Sequence, residues 1–347
     1  MIEVTTRCNY NCIYCFRRNL SINDIGDMSP DLYYRIINEA AEAGATKVVF
    51  SGWGEPLLHP KILDFISYAK SKGMSVLLNT NGYFLIEYID VLHELGVDNI
   101  AVSIDAASHD TYELIRRGGD LPRIIKALLK LKRLRIKSMS PPTLHIHFTL
   151  NKYNYRNILS TLKLAKEVGA SRVIISNVIP MSSEIEESLA CYRDSNCVKE
   201  VSKLLIDIAR ISLWYGVDVS LPKFSSSYSE RSCPFVSEQA LYIRFDGLIT
   251  PCIYYAHHWK VTLNNIERVI EPVILGDLNR EGLLGIWMKP EYVRFRVITY
   301  FMHMPSCLDC PLQEYCTLTL SNKYDCWGNS PTCAHCPYSR DMVRCPL

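Results

Sequence analysis

The chain has 347 residues, 48% of them apolar, and a formal net charge of +2. That length fills one large core and a smaller companion, and a near-neutral chain without long runs of one sign argues against a dedicated nucleic-acid or membrane-surface binder. No stretch reaches the roughly 18 apolar residues of a membrane span, and the opening MIEVTTRCNY lacks the regions of a signal peptide, so the expected location is cytoplasmic.

Fourteen cysteines in a reducing compartment are expected to remain thiols, so clustered ones point to metal or redox chemistry. Three lie in the first 15 residues, two at positions 191 and 197, and nine between 233 and 345.

In chain order, short β-branched runs predict strands at 2–5, 47–50, 75–78, 99–103, 144–150 and 172–176. Helical stretches separate them; one at 31–43 starts at Ser29-Pro30 and stops at Gly44. This alternation implies parallel strands joined by helical crossovers, hence an α/β fold. In the fifth strand Leu144, Ile146, Phe148 and Leu150 share one face, and His145, His147 and Thr149 the other. An apolar outer face with a polar inner one suits a barrel with a polar lumen. Six βα units are too few for eight-stranded closure, so a partial (β/α)6 TIM-type barrel is expected over residues 1–215, its gap covered by residues 216–347.

The last third is irregular and rich in Cys, Pro, Tyr and Trp, with helix signals near 283–288 and 290–298. Metal sites are expected to replace a core there. Ser225 to Ser229 reads as a linker. Repeats, a P-loop and a zinc-protease motif are absent.

Cys8-x3-Cys12-x2-Cys15 follows the first predicted strand at its C-terminal end, the face where barrel active sites form. Three thiolates can hold three irons of a cubane and leave the fourth open to a ligand. A structural zinc would want a fourth ligand close by, and no Cys or His lies between Cys15 and His59. The spacing, Tyr14 before the third cysteine, and SGWGEP at 51–56 resemble the radical S-adenosylmethionine (SAM) superfamily. The resemblance implies a 4Fe-4S cluster on Cys8, Cys12 and Cys15 that binds SAM and reduces it to a 5'-deoxyadenosyl radical, which abstracts a substrate hydrogen.

It also implies that the turn Gly52, Trp53, Gly54, Glu55, Pro56 contacts the ammonium of SAM, the missing glycine side chains letting backbone approach the ligand. Ser103 is expected near the methionine carboxylate, with Asp105 on the same lumen parity and Arg116 as the bidentate partner of that carboxylate. Asn79 is a further polar group at a strand end, with Thr80 and Asn81, although NTNG is also an ordinary turn. His145 and His147 are candidates to meet substrate or to make structural hydrogen bonds.

Cys233, Gly247-x4-Cys252 and Cys307-x2-Cys310-x5-Cys316 resemble the SPASM extension, a small Cys-rich (twitch-type) domain that binds auxiliary 4Fe-4S clusters in radical maturases. Where that pattern expects a cysteine four residues after Cys316, this chain has Leu320; Cys326, Cys333, Cys336 and Cys345 are the substitutes. One or two auxiliary clusters are expected, with the pairing open. A zinc ribbon from Cys307-x2-Cys310 and Cys333-x2-Cys336 is the alternative. Cys191 and Cys197 are expected to be packing residues, Cys197 in a helix begun at Asp194–Asn196.

FSGWGEPLLHP at 50–60 and CWGNSPTCAHCPYSRDMVRCP at 326–346 resemble a SPASM subgroup associated with tungsten-dependent aldehyde ferredoxin oxidoreductases. The resemblance implies a maturase of that enzyme or its tungstopterin cofactor, with a ferredoxin or flavodoxin as electron donor. Two rivals stand beside it. One is a maturase of peptides or proteins forming a thioether, a carbon–carbon bond or formylglycine; the other is a non-enzymatic iron–sulfur scaffold or redox sensor.

Overall fold

The computed structural model describes residues 1–136, 142–225 and 230–347; residues 226–229 of the expected linker lie outside them. Helix α1 (Pro30–Glu42) begins where the Ser29 hydroxyl accepts a hydrogen bond from the Leu32 amide at 3.3 Å, with Pro30 presetting the first turn. Its buried residues, Leu32, Tyr33, Ile36, Ile37 and Ala40, recur at helical spacing. It ends at Gly44, whose φ of +83° only glycine adopts freely.

Six parallel strands pair in chain order: β1 (Lys47–Phe50), β2 (Ser75–Thr80), β3 (Asn99–Ser103), β4 (Thr143–Leu150), β5 (Arg172–Asn177) and β6 (Asp218–Ser220). Parallel neighbours need crossovers. These contain α2 (Ile62–Ser71), α3 (Leu85–Glu94), α4 (His109–Ile115), α5 (Leu121–Ile136), α6 (Ile158–Val168), α7 (Ser183–Leu189) and α8 (Ser195–Tyr215). The alternation in β4 is as expected: Leu144, Ile146, Phe148 and Leu150 are buried, and His145, His147 and Thr149 are half-buried on the other face.

Six strands are present, but not the six expected. Residues 2–5 form no strand. Ile2 donates from its amide to Val49 O of β1 at 2.8 Å and accepts at its carbonyl from the amide of Ser51, just past β1, at 3.2 Å, and Glu3 donates to Ile243 O at 2.9 Å on the other side. Single bridges on each side do not make a ladder. The sixth strand is the three-residue Asp218–Ser220, whose opening aspartate and short length hide it from sequence patterning.

Through Ile2 and Glu3 the sheet edge meets the C-terminal third. There α9 (Pro234–Ser237) precedes the antiparallel set β7 (Tyr242–Ile243), β8 (Leu248–Thr250) and β11 (Gly276–Asp277), with β8 central. Between β8 and β11, strands β9 (Trp259–Leu263) and β10 (Ile266–Ile270) form a hairpin. Asn264 and Asn265 turn it at φ of +56° and +61°, the signs a tight hairpin requires and asparagine tolerates. Helices α10 (Leu283–Trp287) and α11 (Pro290–Tyr300) lie where the helix signals predicted.

The expectation that metal sites replace a core in this third is corrected. Phe235, Tyr242, Tyr254, Tyr255, Trp259 and Tyr292 are each no more than 2% exposed, and burying one such ring contributes about 1.5–3 kcal/mol. Trp259 also packs on Phe16 and Trp53, with centroids 5.6 Å from each. The aromatic core therefore ties the cysteine loop and the turn after β1 to the C-terminal third.

Candidate active site

A cavity of about 260 Å³ opens at the C-terminal ends of the strands. Cys8, Cys12 and Cys15 line it from the loop after residue 5, with Tyr14 beside them. Burial pushes the Cys8 thiol up to about 11 and Cys12 to about 12, and raises Cys15. Unassisted, these thiols stay protonated near neutrality; a bound metal centre supplies the positive charge that makes them thiolates.

Gly52, Trp53, Gly54 and Glu55 also line the cavity. The glycines, expected to make room for a ligand, make room for the chain's own first segment. A Cβ on Gly52 would meet Glu3 Cγ at 2.6 Å, and one on Gly54 would meet Thr5 O at 2.3 Å. Pro56 does not line the cavity; it begins a 3-10 turn, Pro56–Leu58. Glu55 is a brace between that turn and the end of β2. Its Oε1 accepts from the Thr80 hydroxyl at 2.7 Å and the Leu57 amide at 3.1 Å, and Oε2 from the Asn81 amide at 2.6 Å. Burial outweighs these bonds and raises its carboxyl to about 7. A carboxylate oxygen accepts two hydrogen bonds, so Oε2 keeps a free lone pair.

Ser103 lines the cavity. Asp105 does not: the chain leaves β3 at Ser103, strand parity lapses, and the aspartate is fully buried behind the wall. Its Oδ2 accepts from the Tyr14 hydroxyl and from Arg116 Nε, both at 2.6 Å, and its Oδ1 from the Thr149 amide at 2.7 Å. Arg116 thus gives Nε to a protein carboxylate, where the resemblance led us to expect pairing with a ligand. Its two terminal nitrogens have no hydrogen-bond partner among the described residues, and the side chain lines the cavity. Of the two histidines only His147 lines it, held neutral because burial lowers its pKa to about 4.

One wall comes from the C-terminal third, which was expected to cover the gap without a particular segment being named. Residues 343–346 cross the strand ends: Arg344 N donates to Ser176 Oγ at 3.0 Å, and Asn79 Nδ2 donates to Pro346 O at 2.8 Å. Asn177 Nδ2 donates to Met342 O at 2.9 Å. Those carbonyls can only accept, which turns the carboxamide oxygens of Asn79 and Asn177 away from them, and both oxygens lack a hydrogen-bond partner among the described residues. The segment is the end of the 326–346 stretch that carries the subgroup resemblance, but apart from Cys345 none of its residues was expected at the site.

The nine C-terminal cysteines fall into two groups. Cys233, Cys252, Cys333, Cys336 and Cys345 line a second, smaller cavity with Tyr254, Tyr255 and Tyr338, and Cys345 lines the large cavity as well. Cys307 lies among Cys316 and Cys326, with Cys310 at the end of its own 3-10 turn. Of the pairs expected for a zinc ribbon, Cys333 and Cys336 line the smaller cavity and Cys307 and Cys310 do not, although the Cys307 amide donates to Ala334 O at 3.0 Å. No three Cys, His, Asp or Glu side chains among the described residues are placed to hold a single metal ion. Burial raises Cys336 to about 12 and Cys307 to about 11.

Cys191 and Cys197 are joined in a disulfide with Cα atoms 5.4 Å apart, which corrects the expectation that all fourteen cysteines remain thiols. Asp194 caps α8, accepting from the amides of Asn196 and Cys197, and so folds the two cysteines together.

Residues 2–165 match the family model of the radical SAM superfamily, and residues 233–311 match that of the SPASM iron-sulfur cluster-binding domain. The tungsten-containing aldehyde ferredoxin oxidoreductase cofactor-modifying protein of Pyrococcus furiosus is 30% identical, covering 100% of this chain and 96% of that protein. The chain belongs to the radical SAM superfamily. It is an enzyme whose cofactors are SAM and 4Fe-4S clusters. The AdoMet-dependent heme synthase of Methanosarcina barkeri is 32% identical over 84% of this chain and 82% of its own length. In fold the radical SAM chain is similar to SuiB of Streptococcus suis bound to S-adenosylmethionine, with a TM-score of 0.65 at 17% identity over 100% of this chain and 76% of that one. No helix among the described residues is long and apolar enough to cross a membrane.

Proposed function

We propose that this enzyme reductively cleaves SAM at a cluster held by Cys8, Cys12 and Cys15, and that it matures a tungsten-dependent aldehyde ferredoxin oxidoreductase or its pterin cofactor in the cytoplasm. The carrying observation for the substrate is the similarity along the full chain to the P. furiosus cofactor-modifying protein. The chemistry is supported by three thiols on one loop, Cys12 buried and Cys8 and Cys15 half-buried, lining the same cavity as Ser103, Glu55 and Arg116.

A cluster held by Cys8, Cys12 and Cys15, with SAM beside it, would supply the one-electron, hydrogen-abstracting chemistry. The protein's part is binding, orientation and exclusion of water. Arg116, fixed at Nε by Asp105, offers two terminal nitrogens in a fork suited to the SAM carboxylate. Glu55 offers Oε2 to the SAM ammonium, and Ser103 a hydroxyl to the methionine end. Tyr14 spends its hydroxyl on Asp105, so it meets a ligand through ring or backbone.

Cys307, Cys310, Cys316 and Cys326 form one auxiliary cluster site, and the second draws on the five cysteines of the smaller cavity. A ferredoxin or flavodoxin supplies the electrons. The SAM domain runs through β6 at Asp218–Ser220, so the expected boundary after residue 215 moves past the sixth strand, and the auxiliary domain follows it.

Reconstituted anaerobically and reduced with dithionite, the protein is expected to release 5'-deoxyadenosine, faster when the tungsten oxidoreductase lacking its mature cofactor is added. No 5'-deoxyadenosine with any candidate substrate would leave the scaffold reading. Stimulation by a Cys-rich peptide and not by the oxidoreductase would favour the peptide maturase.

A further inference from the structure

Glu3 lies outside the large cavity, yet its carboxylate is completely buried and pressed against the turn at residues 51–55. Its Oε1 accepts from the Trp53 amide at 2.8 Å and the Tyr242 hydroxyl at 2.7 Å, and its Oε2 pairs with His257 Nε2 at 2.9 Å. Behind the imidazole, Nδ1 stands 3.6 Å from Asp24 Oδ1, and Asp24 in turn pairs with Arg244 at 3.1 Å. A carboxyl group taken wholly out of water needs hydrogen bonds to both oxygens, and this one has them.

The partners come from two regions. Trp53 belongs to the turn after β1; Tyr242 is in β7, and His257 precedes β9. The same two regions meet again at the Trp53 indole, whose N–H donates to Ile253 O at 3.2 Å, one residue beyond Cys252. Trp53 is therefore held through its backbone by Glu3 and through its ring by the segment that bears Cys252. Gly52 is the residue that lets Glu3 come this close.

We infer that Glu3 is a positioning residue for SAM: through its carboxylate, Tyr242 and His257 of the C-terminal third hold the Gly52–Glu55 turn in its cofactor-binding shape. This rests on the reading that the turn contacts SAM. It goes beyond that reading by making the SAM site depend on the C-terminal third through one side chain outside the cavity.

Equilibrium dialysis of labelled SAM against the reconstituted full chain tests it, with iron content, the spectrum of the first cluster and the melting temperature measured alongside. Glu3→Ala, which leaves the Trp53 amide buried without an acceptor, is expected to weaken SAM binding by about tenfold, with the KM for SAM rising more than kcat falls. Glu3→Gln, whose amide oxygen can still accept from Trp53, is expected to restore most of the affinity. His257→Gln, outside the cavity, is expected to weaken binding several-fold with the first cluster intact.

Wild-type affinity in Glu3→Ala overturns the inference, whatever happens to its melting temperature. Should Glu3→Ala fail to fold, Tyr242→Phe and His257→Gln decide: unchanged SAM affinity in both overturns it, and weakened affinity in either with cluster iron retained supports it. Failure of the wild-type protein to bind SAM would instead defeat the underlying reading.

Discussion

Around Cys8, Cys12 and Cys15 the cavity walls are the ends of successive strands, each delivering a polar group: Glu55 after β1, Asn79 in β2, Ser103 in β3, His147 in β4 and Ser176 in β5. Around Cys233, Cys252, Cys333, Cys336 and Cys345 the walls include the rings of Phe235, Tyr254, Tyr255 and Tyr338 and no charged side chain. The first arrangement can bind and orient a small charged molecule. The second can keep water from a metal centre but offers little to recognise a ligand. Within one fold, then, clustered cysteines serve different ends according to what surrounds them.

The sharpest break of this comparison is removal of the first group. Cys12→Ala is expected to lower 5'-deoxyadenosine formation by at least about a hundredfold, read by chromatography of the products, because the radical chemistry belongs to the bound cofactors. Substitutions in the C-terminal groups should act through metal content. Cys252→Ala and Cys307→Ala are each expected to cost about four irons, and the double variant about eight, since they lie in separate groups. Zinc appearing in analysed wild-type protein, or one substitution emptying both groups, would argue against two separate cluster sites.

Two smaller effects probe the polar wall. Arg116→Lys keeps the charge but loses the fork, and the KM for SAM is expected to rise about tenfold. Glu55 provides a pH test. Its folded pKa of about 7 is raised, so its contribution to stability is present below the ordinary carboxylate range and is lost as pH rises through 7. The proposed contact with the SAM ammonium requires the ionised form. SAM affinity is therefore expected to rise by about tenfold between pH 6 and 8 as Glu55 loses its proton. Glu55→Gln should bind SAM weakly at every pH.

The smallest effect lies away from both groups. Cys191→Ser with Cys197→Ser opens a short loop and is expected to cost about 2 kcal/mol in denaturant unfolding, with little change in SAM cleavage.

What was legible in the sequence was local or periodic. The spacing of Cys8, Cys12 and Cys15, the alternation of β4 and the capped α1 each announce themselves within a few residues. What was hidden depends on contacts across long stretches of chain. Asp105 shares a parity with Ser103 only while the strand lasts, so its burial with Tyr14 and Arg116 could not be read from alternation. The wall at 343–346, bonded to Asn79 and Ser176, and the link from Glu3 to His257 join residues far apart in the chain, and no periodic pattern records them. The Cys191–Cys197 bond was missed because compartment was used to predict chemistry, whereas a helix cap brings the sulfurs together.

The close fit of Gly52 against Glu3 has an evolutionary corollary. Two positions whose atoms leave no room for one another cannot drift independently. A relative carrying a side chain at the first should carry something shorter than glutamate at the second, and would then need another acceptor for the amide that follows. In an alignment of such enzymes these positions should change as a pair, an expectation that any set of related sequences can examine without a single measurement.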